Sequence, residues 1–339
     1  TVYNLAPECT AADVEEGEYY LATVNGAVDY GVFVDVSEAV SGLVHSSELS
    51  GEYAVDDELV VELDEIRENG DLSFTEVDHT AGEVEPRHPG SLVDGTDIAA
   101  RAGEQVRLEG QVVQIKQTSG PTLFQVSTGA AVVPCAAFEA PGARAFPEVT
   151  LDSTVRILGT IEARTGHHQI EADTIRALTG ADRAAVAERV SETRAAVATP
   201  DPIDPLIEWP AFEPLVEELS EIARRLRAAV LSGRPIRLRH HADGDGLCAG
   251  VPLQYALERF IGETWVDPEA SRHLLKRLPS KAPFYELEDA TRDLNFALES
   301  QRRHGQKLPL FLMLDNGSTE EDTPALPNAA GLRHSDPGR

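Results

Sequence analysis

Five short runs of alternating apolar and polar residues, each cut off by a turn signal, crowd into the first quarter of the chain. They lie at 19–24, 32–36, 42–44, 58–63 and 72–76, and Gly17, Asn25-Gly26, Gly31, Gly51 and Asn69-Gly70 punctuate them. Strands this short cannot bury a face singly, and an open sheet of them would leave long unpaired edges. The pattern therefore predicts a small closed barrel over 15–77. Residues 78–102, with His88-Pro89-Gly90 and Asp94-Gly95, show no periodicity and read as a linker. The strand pattern then returns at 105–117, 122–127, 130–136, 154–164 and 168–177, which predicts a second five-stranded barrel over 103–178, of the oligonucleotide-binding (OB) type.

The period changes after that. Residues 181–197 repeat at helical spacing and stop at Pro200, Pro202 and Pro205, so 179–205 reads as a helix and a proline-rich linker. Beyond it come a helix (214–231), a strand (236–240), two helices (247–260 and 287–301) and a strand (308–314). Strands alternating with helices imply a parallel sheet. The expected fold is multidomain: two small five-stranded β-barrels of OB type, then a partial α/β domain with a parallel sheet over 206–326, and a tail over 327–339.

Charge restricts the partners. The chain carries 29 Lys and Arg against 58 Asp and Glu, a net −29, and lysine occurs only at Lys116, Lys276, Lys281 and Lys307. The acids are interspersed with Val, Ile and Leu rather than blocked, which favours a folded protein of a high-salt cytoplasm over a disordered acidic chain. A phosphate-binding protein ordinarily shows a basic footprint. At molar ionic strength, however, the Debye length is about 3 Å, so an acidic surface repels a phosphate backbone only at contact. Stacking and metal coordination would then carry binding. Cys9, Cys135 and Cys248 form no Cys-x-x-Cys pair, and neither a disulfide framework nor a cysteine zinc site is expected. The longest strongly apolar run, 308–314, is far below the ~20 residues of a spanning helix, so no membrane partner is expected. A start at Thr1 reads as a fragment or a processed terminus.

Within the first barrel stand Gly17-Glu-Tyr-Tyr-Leu-Ala-Thr-Val24, Asp29-Tyr-Gly-Val-Phe-Val-Asp-Val36 and Gly42-Leu-Val-His-Ser-Ser-Glu-Leu49. In this order they resemble the S1 RNA-binding domain. The resemblance implies that Tyr30 and Phe33 form an exposed aromatic pair with His45 on the same face, and that Tyr20 extends the platform. Such rings stack on bases at about 1–3 kcal/mol each without needing positive charge. The competing assignment puts Phe33 in the core and His45 on a nearby carbonyl. In the second barrel Lys116, Phe124, Arg164, His167 and His168 are candidates for a binding face, though no spacing among them is diagnostic.

The most chemical stretch is Ile236-Arg-Leu-Arg-His-His-Ala-Asp-Gly-Asp-Gly246, a strand that hands His241, Asp243 and Asp245 to a glycine-bearing turn opening a helix. That is the carboxyl edge of a parallel sheet, where ligands bind. Residues 308–314 deliver Asp315 to a similar turn, Asp315-Asn-Gly-Ser318. Carboxylates gathered with imidazole suit Mn²⁺ or Mg²⁺, and Asp315 is the candidate bridge between two ions. A solvated acidic turn or a plain helix cap is the alternative for a lone Asp-x-Asp.

From about 237 to 324 the chain looks like the amino-terminal part of the DHH phosphoesterase family. HHADGDG stands as its first motif and LDNGSTEED as its second. With two barrels ahead of it, the arrangement is similar to archaeal RecJ-like exonucleases. The resemblance implies metal-dependent hydrolysis of single-stranded DNA or RNA, with His241, Asp243, Asp245 and Asp315 as ligands. It departs from the family in one respect: no Asp-His-His follows Asp315, and His334 stands alone in the tail, so the chain reads as truncated or frame-shifted near 327. Two other functions stay open. One is a non-catalytic adaptor that grips single strands and contacts replication or repair proteins; the other is an RNA-binding protein of translation.

Overall fold

The computed structural model describes residues 1–67, 71–78, 84–140, 143–164, 166–316 and 334–335. It divides into two compact units, Thr1–Ser91 and Leu92–Arg339.

In the first unit β1 (Val2–Leu5) precedes β2 (Tyr19–Val28), β3 (Gly31–Asp35), β4 (Ser41–His45), β5 (Glu58–Ile66), β6 (Leu72–Glu76) and β7 (Val84–Arg87). The pairing runs β3-β4-β6-β5-β2 and closes through β2–β3, so five strands form a barrel. Alternation along each strand sends Val24, Val34, Val44, Val61, Leu63 and Phe74 into a fully buried core. Outside the barrel, β1 pairs parallel with both β2 and β7. β7 lies in the stretch expected as a linker. Arg87 fastens it, donating from both terminal nitrogens to the Glu18 carboxylate while its guanidinium covers the Tyr3 ring at 3.7 Å. Sequence periodicity gives no hint of β7, because a side-chain clamp rather than an apolar face holds it.

β3 and β4 approach closely at Gly31, where a Cβ would lie 2.2 Å from the Val44 carbonyl oxygen. Gly31→Ala is therefore expected to cost this barrel about 1–3 kcal/mol by overpacking. A lower urea midpoint for the first unit, with no change in the second, would be the readout.

The second unit begins within β8 (Ser91–Val93), followed by β9 (Gln105–Gln117), β10 (Thr122–Ser127), β11 (Val132–Ala137), β12 (Thr154–Arg164) and β13 (His167–Ala177). The order β10-β11-β13-β12-β9, closed by β9–β10, repeats the topology of the first barrel. Phe124, expected on a binding face, is fully buried in this core. Helix α1 (Gly180–Ala198) lies against the barrel, with Arg189 and Arg156 both bonded to the buried Glu109 at 2.5 and 2.7 Å.

After the proline-rich stretch come α2 (Leu215–Leu231), β14 (Ile236–His241), α3 (Gly244–Thr264), α4 (Ala270–Leu274), β15 (Leu275–Ser280), α5 (Leu287–His304), β16 (Leu310–Leu314) and β17 (His334–Ser335). All strand pairs are parallel, in the order β15-β14-β16-β17. The pairing of β17 places the His334 backbone beside Phe311, on a strand that the aperiodic tail did not predict. β15 is likewise a strand missed by pattern, since it carries Lys276, Arg277 and Pro279, a composition that only a sheet edge tolerates. The second barrel is not separated from this sheet: Val113 and Val132 share one hydrophobic cluster with Leu231, Ile236, Leu257 and Trp265. Among the described residues no helix is long and apolar enough to cross a membrane.

Candidate nucleic-acid face and candidate metal centre

On the first barrel, Val32 and Val34 point inward, so Phe33 between them must point out. Tyr30 sits in the turn leading into β3, and the Ser46 N–H donates to its carbonyl at 2.9 Å, tying that turn to the end of β4. The two rings meet edge to face at 6.5 Å, with Tyr30 53% and Phe33 37% exposed. His45, exposed at the end of β4, is the register partner of Gly31. Its Nδ1 accepts from the Ser47 N–H at 3.3 Å and faces the Ser47 hydroxyl at 2.8 Å. A backbone N–H can only donate, so Nε2 carries the ring proton when His45 is neutral.

Tyr20 does not extend this platform. It is fully buried, its hydroxyl accepts from the Glu15 N–H at 2.8 Å and donates to Glu18 at 2.9 Å, and burial pushes its phenol up to about 12. The inward phase of β2 at residue 20, shared with Ala22 and Val24, decides its place. Beside Phe33 a cleft of about 370 Å³ runs between Val40, Gly42, Leu43, Arg67 and Ser73. Arg67 escaped sequence reasoning. A count of cations would have found it, because residues 1–91 hold only Arg67 and Arg87; Glu18 occupies Arg87, and Arg67 stands 3.6 Å from Glu65.

In the second barrel His167 and His168 open β13, paired with the end of β12, and Lys116 is exposed near the end of β9, without a common cluster. The Arg164 side chain lies outside the described residues.

At the carboxyl edge of the parallel sheet, β14 ends on His241 and β16 ends just before Asp315. One ligand atom each from His241, Asp243 and Asp315 lies within 4.8 Å of the others. His241 Nδ1 is 2.6 Å from Asp243 Oδ2 and 4.0 Å from Asp315 Oδ2. On the other side of the ring, Nε2 meets the Lys281 carbonyl at 3.2 Å. That carbonyl accepts from Nε2–H and turns Nδ1 toward the carboxylates, the outer-shell arrangement of a ligating histidine.

Local geometry explains the convergence. Asp243 caps α3, accepting from the Gly246 N–H at 3.2 Å, and a Cβ on Gly246 would lie 2.1 Å from the His241 carbonyl oxygen. The turn can fold back on the strand only with glycine there. Asp315 adopts a left-handed backbone (φ 50°), which aspartate tolerates better than most residues. Asp245 joins electrostatically: its charge opposes that of Asp315.

The charges are frustrated without a cation. Desolvation, then the Asp245 and Asp243 charges, push the Asp315 carboxyl above its usual range. Desolvation also opposes ionisation of Asp243, but bonds from Gly246, Asp245 and His241 outweigh it and hold that carboxyl low. Carboxylate oxygens with one oriented imidazole fit Mn²⁺ or Mg²⁺. The Gly317 and Ser318 part of the second motif lies outside the described residues.

Residues 13–84 match the model of the S1 RNA binding domain. The first barrel is an S1 domain. Over 339 residues the chain is 36% identical to an uncharacterized protein of Methanocaldococcus jannaschii, MJ1198, covering 97% of this chain and 44% of that protein. It thus spans less than half the length of that relative. A polyribonucleotide nucleotidyltransferase of Salinibacter ruber is 36% identical over 69 residues, 18% of this chain and 10% of the enzyme. Among solved structures, the "Member of s1p family of ribosomal proteins PF0399 DHH domain" is 38% identical, covering 47% of this chain and 38% of that one, with a TM-score of 0.44.

The S1 match begins at residue 13 and ends at residue 84, so it includes all five barrel strands and leaves out β1 and nearly all of β7. The S1 domain is the most acidic part of the chain, with 22 Asp and Glu across residues 1–91. Its exposed rings therefore stand among few cations.

Proposed function

We propose that this chain binds single-stranded DNA or RNA on the Tyr30–Phe33–His45 face of its S1 domain and hydrolyses phosphodiesters at the His241–Asp243–Asp245–Asp315 cluster, as RecJ-like exonucleases of the DHH phosphoesterases do. The observation carrying the hydrolytic half is the convergence of ligand atoms from the ends of two different strands, β14 and β16, at one sheet edge. A helix cap or solvated turn explains Asp243 alone; it does not explain why Asp315 joins it or why Lys281 orients His241. A divalent ion there would polarise a phosphoryl oxygen and lower the pKa of a bound water. The chain's own residues would hold and orient: His241 keeps its proton on Nε2, and Asp243 is fixed by Gly246.

The test is Mn²⁺-dependent release of nucleotides from labelled single-stranded DNA and RNA in molar KCl. Release is expected from this chain and not from Asp243→Ala or Asp315→Ala. Release that persists in both variants would remove the assignment.

A second reading, strand binding without hydrolysis, is favoured by the ligand set itself. Among the described residues one cluster of three ligand atoms converges, enough for one ion and short of two. Strand binding retained without release would support it. In either reading Tyr30→Ala and Phe33→Ala are each expected to weaken single-strand affinity, by roughly 5- to 150-fold from the stacking energy of one base. Fluorescence anisotropy with a labelled oligonucleotide measures this, and Tyr20→Phe, which alters only a buried hydroxyl, serves as the comparison.

Proton competition gives the cluster a pH signature. A raised Asp315 pKa means that its proton is held at pH values where an ordinary carboxylate is already ionised, so a cation must displace it. Ion binding should strengthen as pH rises through that elevated value, and weaken as pH falls. The gain in thermal midpoint on adding Mn²⁺ is expected to grow between about pH 4 and pH 7, and an Asp315→Asn chain should lose most of that slope.

A further inference from the structure

The opposite edge of the parallel sheet carries a feature of the other sign. Near the amino ends of β14 and β15, Arg237 and Lys276 are register partners. Between them, α4 and the second half of α5 lies a cavity of about 200 Å³, lined by Arg237, Arg272, His273, Lys276, Phe296 and Arg303. A concentration of cations is unusual in a chain with a net charge of −29.

Their partners are unevenly supplied. Helix α5 gives Arg239 two acids: Asp293 takes a bidentate bond at 2.6 and 2.9 Å, and Asp289 stands at 3.5 Å. Farther along α5, where it lines the cavity with Arg237, it presents Phe296 and Ser300 instead. Arg237 is only 5% exposed, and its one hydrogen bond shown goes to the Ile236 carbonyl at 3.0 Å. Among the described residues no carboxylate lies within ion-pair distance of it or of Lys276, whose Nζ sits 4.3 Å above the Phe296 ring. The acid in the lining, Glu299, is held by Arg303 at 2.6 Å, and Arg272 pairs with Glu269.

A guanidinium taken out of water needs a counter-charge. Burial pushes Arg237 down to about 10, which the charge of Asp293 offsets only in part, and burial together with Arg237 pushes Lys276 below its usual value, as expected of two cations facing one unfilled space. The geometry points to an anion site in this cavity, which takes the phosphate group of inorganic phosphate or of a phosphomonoester through Arg237 and Lys276. Arginine's planar fork matches phosphate oxygens, and lysine supplies a point charge. The cavity is below the ~300–1,000 Å³ of pockets for drug-sized ligands, which suits one phosphate group rather than a strand. The half-exposed Phe296 ring offers a surface for a sugar or base attached to it.

Equilibrium dialysis of labelled inorganic phosphate and of adenosine 5′-monophosphate against the full chain tests this. It should be run in potassium glutamate with EDTA, so that neither chloride nor a metal ion at the other edge holds the ligand. One phosphate group per chain is expected, with affinity reduced about tenfold or more in Lys276→Gln, the loss of one charge-assisted bond. Lys276 is exposed, so that variant keeps the fold, and circular dichroism verifies it for Arg237→Met, which should also lose binding. Equal affinity for the two ligands would assign the site to phosphate itself. Tighter binding of the nucleotide, with the difference removed by Phe296→Ala, would assign it to a nucleoside monophosphate. No binding of either ligand, or binding unchanged in Lys276→Gln, overturns the inference.

Discussion

Asp243→Ala and Asp315→Ala are each expected to lower Mn²⁺ affinity by more than the roughly 10–100-fold that removal of an outer-shell partner costs at a metal site. Each deletes one of three converging ligand atoms. The two variants should differ in apo stability. Asp315→Ala removes a carboxylate that desolvation and two neighbouring acids disfavour, but places alanine in a left-handed backbone; Asp315→Asn, which tolerates that backbone, should leave the apo chain as stable as the parent or more so near neutral pH. Asp243→Ala removes the cap of α3 and should cost about 0.5–2 kcal/mol. Titration calorimetry with Mn²⁺ and denaturation in EDTA separate the two effects. Equal Mn²⁺ affinity in all three chains would mean that the cluster holds no ion.

Asp293→Ala is expected to destabilise the second unit by about 3–5 kcal/mol, the usual penalty for leaving one member of a buried ion pair alone. Arg239 is 3% exposed, its two bonds to Asp293 disappear, and the Tyr285 hydroxyl loses its acceptor at 3.0 Å. Asp289, at 3.5 Å, compensates only in part. Replacing both partners, Arg239→Met with Asp293→Leu, should recover most of the loss, because an apolar pair of similar volume needs no counter-charge. Urea unfolding of the four chains completes the cycle.

Both barrels could be read because closure imposes short alternating strands with turn residues between them, and each side chain's phase follows from its neighbours. The same rule, applied to β2, would have placed Tyr20 inside with Ala22 and Val24. Likeness of motif drew it outward instead. In the α/β part β16 announced itself as an apolar run and β14 by the alternation of Ile236 and Leu238 with arginine, whereas β15, an edge strand with Lys276 and Pro279, resembles a loop. The residues of the candidate metal centre were visible because acids at strand ends stand out. Their convergence was only inferable, since sequence does not give the register of β14 on β16. Arg237 was invisible as a site residue for a related reason: what marks it is a missing partner on α5, and absence of a carboxylate has no signature along the chain.

The cluster shared by Val113, Val132, Leu231 and Trp265 has a consequence for how the protein can be dissected. Cutting between the second barrel and the sheet would strand apolar side chains on both pieces. A methyl group gained at Val132 has to be given up near Trp265, with which it forms a backbone bridge. Barrel and sheet are mechanically one object with two names, whereas residues 1–91 form a compact unit of their own.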